Sequence, residues 1–151
     1  MIDFSELYPG SIVKHKYAKN GEAMSLYDIQ KYKEAVENGD PSYYGTISGV
    51  PINKAWLLKF GFKELHFGIF ELELNKERIS TYMDKIFTVF YDIKMDKLCI
   101  ELTYLRFIGK NDIENYTHDL PHIKYVHQLQ SLLYLLSGVK LNMDQWQSAT
   151  K

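Results

Sequence analysis

The sequence predicts an α+β protein: an antiparallel β meander packed against a C-terminal amphipathic helix, with a small β-rich N-terminal part that carries an inserted helix. Two patterns predict it. From Lys63 to Ile108 the apolar period is two. Phe70, Leu72 and Leu74 alternate with Ile69, Glu71 and Glu73, and Leu98, Ile100, Leu102 and Tyr104 alternate with Cys99, Glu101 and Thr103. From His122 to Gly138 the period is that of a helix, with Tyr125, Val126, Leu129, Leu132, Leu133 and Leu136 on one broad face. An aromatic content of 15%, with twelve Tyr and eight Phe, suits the pleated, half-buried surface of the strands. The expected division is a variable N-terminal part, 1–52, with a helix over about 25–38, and a sheet with its helix over 53–151 as one compact unit.

Each element has a local reason. Pro9-Gly10 marks a turn, and Ile12 to Tyr17 follows as a strand. Lys19-Asn20-Gly21 favours a hairpin. Ser25 is placed to cap a helix with Asp28 as its reciprocal partner, and Ile29, Tyr32 and Val36 form the helix's apolar stripe. Asn38-Gly39 stops it. Ser42 to Val50 is expected to be extended. Asn53 caps a short helix over Lys54 to Phe60 that Gly61 ends, with Trp56, Leu57 and Phe60 as its buried face.

Within the meander, Ile86 to Ile93 is apolar on both faces and reads as a central strand. Lys94 to Lys97 is the turn to the next strand. Residues 109–121, GKNDIENYTHDLP, are expected to form a polar loop into the last helix, with Pro121 near its first turn and Gly138 just past its end. Residues 141–151 form a polar tail with Trp146 as its one anchor. There is no internal repeat or low-complexity tract.

Composition narrows the function classes. A formal net charge of −1, from 18 basic and 19 acidic residues, provides no global field for nucleic acid or an anionic membrane. No segment is long and apolar enough to span a membrane, and the N-terminus has no signal-peptide pattern. The single Cys99 lies in an apolar run and reads as a small buried hydrophobe of a reducing compartment. The expected location is therefore cytoplasmic.

No stretch carries a recognisable catalytic motif. There is no HExxH, cysteine pair, GxSxG, P-loop or GxGxxG, and neither cofactor nor metal is expected. His118, His122 and His127 cluster in sequence, but His122 and His127 lie about 140° apart on a helical wheel, too far for one metal without other elements. An acid–base pair of His127 or His118 with Asp119 or Glu114 is the enzymatic alternative. Glu71 and Glu73 share one strand face, which reads as a solvated sheet face, since nothing places an apolar wall around either to raise its pKa for acid–base work. Lys14, His15, Lys16, Tyr17 and Lys19 form a basic-aromatic run of the kind that holds single-stranded nucleic acid. A solvated edge strand bearing lysines accounts for the same residues.

Two blocks resemble a family. Pro51–Phe62, PINKAWLLKFGF, is similar to PLTEEWLLKFGF, and Leu120–Gly138, LPHIKYVHQLQSLLYLLSG, is similar to a tail reading IKYVHQLQNLYFALTG. Both blocks, in this order around a meander, characterise a family of small uncharacterised proteins from Bacteroides-type gut bacteria and their phages or prophages. The resemblance covers residues 51–138 and leaves the first ~50 variable. It implies a phage or mobile-element accessory role and supplies no catalytic residue or ligand. Core packing is expected to explain Leu129 and Tyr125 in the second block. It does not explain His127, Gln128 and Gln130, so His127 and Gln130 are expected to tie the helix to a sheet edge or to the 109–121 loop by hydrogen bonds.

The function expected from these readings is a non-catalytic module that binds a macromolecule, most simply a protein, with Lys14, Lys16, Tyr17, His127 and Gln130 as binding residues. Leu135, on the polar side of the last helix, is a further contact candidate. The alternatives are a weak single-stranded nucleic-acid binder through residues 14–19 and a small enzyme using His127 or His118. The oligomeric state stays open.

Overall fold

The computed structural model describes residues 2, 7, 9–15, 21–107 and 112–137. The fold is α+β, with a five-stranded antiparallel sheet and a C-terminal helix as expected. The chain divides into two compact units, residues 1–52 with 125–151, and residues 53–124.

In the first unit, β1 (Ile12–His15) is the middle strand of a three-stranded sheet, between β2 (Glu22–Ala23) and β3 (Ile47–Gly49). The β1–β2 pairing is the expected hairpin, and β1 is not an edge. Lys16, Tyr17, Lys19 and Asn20 lie outside the described residues. Helix α1 (Leu26–Glu37) begins at the predicted capping box. Ser25 Oγ accepts from the Asp28 N–H at 3.2 Å and Asp28 Oδ2 accepts from the Ser25 N–H at 3.0 Å. It ends at Gly39, where the Gly39 N–H donates to Val36 O and the Asp40 N–H to Ala35 O. Tyr32 is wholly buried among Ile2, Val13, Met24 and Ile47, and its hydroxyl donates to Ile2 O at 2.8 Å.

Two local expectations change here. Residues 42–44 are not extended but belong to a one-turn helix, α2 (Pro41–Tyr44), and only Ile47–Gly49 is strand. Asp40 caps α2 by accepting from the Ser42 N–H at 2.9 Å, and Pro41 stands where a helix needs no N–H.

The last helix, α4 (Val126–Ser137), starts four residues later than its apolar period suggested, so Pro121 is not in its first turn. Tyr125 instead makes an isolated β-bridge to Pro51, and the Val126 N–H donates to Val50 O at 2.8 Å. Its buried face is also rotated. Val126, His127, Leu129, Gln130 and Leu133 are buried, whereas Tyr125 is 41% exposed. Each large apolar side chain so buried stabilises by about 1.5–3 kcal/mol before conformational entropy is subtracted. Gly138 and the tail through Trp146 lie outside the described residues.

In the second unit, Asn53 caps α3 (Lys54–Lys59) by accepting from the Trp56 N–H at 3.1 Å. The meander then runs β4 (Lys63–His66), β5 (Ile69–Ser80), β6 (Met83–Asp92), β7 (Lys97–Arg106) and β8 (Asp112–Asp119), with each strand beside its successor. The strand β8 corrects the expected polar loop over 109–121. Its polarity hid it, because both of its sides are largely exposed. Pairing of Asp112–Asp119 with Arg106–Cys99 supplies the structure that composition did not signal.

Candidate binding face

Strand alternation sorts the meander's side chains into two faces. On one face the register aligns Met83, Lys85, Phe87, Val89 and Tyr91 of β6 with Arg106, Tyr104, Leu102, Ile100 and Leu98 of β7. Beside these stand Asp112, Glu114, Tyr116 and His118 of β8. Phe70, Val89, Tyr91 and Leu98 are buried at one end of this face. Toward the other end the apolar side chains stay half-exposed, and Tyr116 is 60% exposed.

The opposite face is more polar, although Ile69, Ile86, Phe90, Leu105 and Ile113 share it. The register shifts between Glu73 and Asn75, so the apolar alternation of β5 stops at Leu74 and NKERIS carries the strand on as a polar ribbon. Asp84 is buried there beneath Arg78 and Lys76, bonded to the Arg78 guanidinium. Glu101 accepts from the Thr103 hydroxyl at 3.1 Å and from Thr117 at 3.4 Å. Cys99 shares this side, and burial, with Asp119 nearby, pushes its thiol up. A reactive thiol needs the reverse shift.

Two shallow concavities meet at Tyr116 and Leu102 on the apolar face. One, of about 480 Å³, is bounded by Met83, Tyr104, Arg106 and Glu114. The other, of about 230 Å³, is bounded by Phe87, Ile100, Thr117 and His118. The Tyr104 and Tyr116 rings meet edge to face with centroids 6.2 Å apart. Arg106 and Glu114 pair at 3.0 Å and close the far end. The geometry is that of an aromatic-aliphatic surface with a charged rim.

The enzymatic pairs of His118 are not assembled. Asp119 follows His118 on the strand, so the two point to opposite faces, and Asp119 pairs with Lys97 at 2.7 Å. Glu114 shares the face of His118 but lies four residues away, about 13 Å along the strand, and is held by Arg106. Among the described residues no group of three His, Cys, Asp or Glu side chains could hold a metal ion.

Of the sequence-predicted binding residues, Lys14, His127 and Gln130 stand in the other unit, and Lys16 and Tyr17 lie outside the described residues. Lys14 is exposed on the middle strand β1. Gln130 is fully buried and joins α4 to β1: its Oε1 accepts from the Ile12 N–H at 2.8 Å and its Nε2 donates to Gly10 O at 3.1 Å. This ties the helix to the middle strand β1, where the expectation named a sheet edge or the 109–121 loop. His127 is buried as well, and its ring stacks on Tyr125 at 5.8 Å. Gln128 caps the helix, its Oε1 accepting from the Tyr125 N–H at 3.2 Å. The three polar residues of the block thus hold the fold, and burial keeps His127 and Gln130 from a surface ligand. Leu135 is 79% exposed.

Sequence reasoning missed Tyr116 and its face. The signal was present, since residues 112–119 contain Ile, Tyr and Thr and no Pro or Gly. Among the described residues no helix is long and apolar enough to cross a membrane. Comparison with family models, curated proteins and solved structures finds no match to this chain.

Proposed function

We propose that the protein is a non-catalytic protein-binding module, a phage- or prophage-associated accessory factor working in the cytoplasm, and that it engages its partner through the apolar sheet face around Tyr116. The carrying observation is that face: Tyr116 and Leu102 stand between two concavities at the surface of a sheet, with Tyr104 lining one of them. Aromatic anchors over shallow pockets, rimmed by charge, are the usual composition of protein contact surfaces. Glu114 beside it is already engaged by Arg106, which favours recognition over acid–base chemistry. The accessory context rests on the resemblance of Pro51–Phe62 and Leu120–Gly138 to the phage-associated family.

The test is site-specific photo-cross-linking in the host cell from a photoreactive phenylalanine at position 116, with position 73 on the more polar face as its counterpart. Binding to single-stranded DNA that falls steeply with salt and is lost in Lys14→Glu would replace this reading with the nucleic-acid one.

A further inference from the structure

We propose that strand β8 pairs antiparallel with β8 of a second copy of this chain, joining two five-stranded sheets into one ten-stranded sheet across a two-fold axis at Tyr116. The contact is the strand's edge rather than the face described above, so it goes beyond the protein-binding reading and the two fail separately.

The edges of the sheet differ. At one end β4 is four residues long and its register is broken between Glu64 and His66. At the other, β8 runs eight residues in unbroken register with β7 and contains no Lys, Arg or Pro. Natural proteins blunt edges by shortness, bulges, charged side chains, above all lysine, or proline. The first edge has three of these devices, its shortness, its bulge and Lys63, whereas β8 has only its carboxylates, Asp112, Glu114 and Asp119.

The ladder selects the register. The Leu120 N–H donates to Leu98 O at 2.8 Å, continuing the alternation in which residues 112, 114, 116 and 118 bond to β7. The N–H and C=O groups of Ile113, Asn115, Thr117 and Asp119 therefore point outward. A second β8 must match outward groups to outward groups, which forbids registers shifted by one residue. In the register centred on Tyr116, Asn115 faces Thr117 and Ile113 faces Asp119 as bonded pairs. Tyr116 faces its own copy, and His118 faces Glu114 twice over, in the closer non-bonded positions. No like charges meet. Both adjacent allowed registers place Tyr116 against a polar side chain, Glu114 or His118.

A two-fold contact is closed. It consumes both β8 edges and leaves only the short, irregular β4 edges free, so the product is a dimer and not a fibre. It also places the two apolar faces on the same side of one continuous sheet.

Analytical ultracentrifugation of the full chain, combined with a cysteine scan, tests this. Wild type is expected to sediment with twice the 17.7 kDa chain mass at micromolar concentration. Asn115→Pro, which removes an outward N–H without touching the β7 ladder, is expected to sediment as the monomer with its circular dichroism retained. In a Cys99→Ser background, cysteine placed singly at each of positions 113–119 is expected to form an intermolecular disulfide only at 116, the position opposite itself. A monomer at all concentrations overturns the proposal, as does a dimer that survives Asn115→Pro or crosslinks elsewhere in the scan. Neither outcome bears on cross-linking of a different polypeptide from the face.

Discussion

Gln130 is buried because both ends of its amide have backbone partners, and those partners are the reason it is glutamine. Gln130→Leu matches its size but strands the Ile12 N–H and the Gly10 carbonyl, at about 1–3 kcal/mol for each unpaired group. Urea unfolding of that variant is expected to show a loss of about 2–4 kcal/mol, and an unchanged midpoint would contradict this role. Asp96 illustrates the same economy on the surface. Lys124 beside it, at 2.8 Å, and the Tyr91 hydroxyl hold its carboxyl below the ordinary 3.8. Burial, and then that same carboxylate, push the Tyr91 phenol up. Because the folded pKa of Asp96 is depressed, its contribution is fully present above the unfolded value and is lost as pH falls through the folded one. Thermal melts of wild type and Asp96→Asn should therefore differ at pH 6 and converge once the pH is below the folded value. The difference is modest, since the carboxylate is more than half exposed. A gap that persists or widens in acid would assign Asp96 another role. Gly49 is a matter of space: a Cβ there would lie 2.5 Å from the Tyr125 ring, which is itself stacked on His127.

At the scale of elements, what was legible in the sequence was what is local. The capping box of Ser25 and Asp28, the Asn53 cap and the alternation of β7 each lie within a few residues and appear where the pattern places them. The start of α4 was not legible, because Pro51 and Val50 set it from more than seventy residues away. Nor was β8, whose polar residues acquire strand form by pairing with β7. The turn between β4 and β5 works against its local preference. Phe67, with φ 47°, takes the first place in a two-residue turn that favours Asn or Gly there, ahead of Gly68 with φ 90°. Phe67 is 82% exposed, and Lys94 lies over its ring. Phe67→Asn is expected to relieve about 1 kcal/mol of backbone strain and forfeit about 0.5 kcal/mol of cation–π contact. The net is a gain of about 0.5 kcal/mol in urea unfolding, and a loss of stability would show that the ring contributes more than its conformation costs.

For the molecule as a whole, contacts group the chain into two units. Residues 125–137 belong with the N-terminal unit through Gln130, Val126 and Tyr125, and the segment 53–124 forms the other unit. This redistributes the candidate site. The residues singled out from sequence by their unusual polarity, His127 and Gln130, proved to be interior. The surface with the composition of a contact is the sheet face around Tyr116, whose members lie on three strands and are brought together only by register. No linear pattern announces such a face.

The most direct test is the photo-cross-link from position 116 against position 73. The binding account predicts an adduct of the chain with a second, different polypeptide from 116 and none from 73. Adducts from 73 alone, or from neither position, would contradict it.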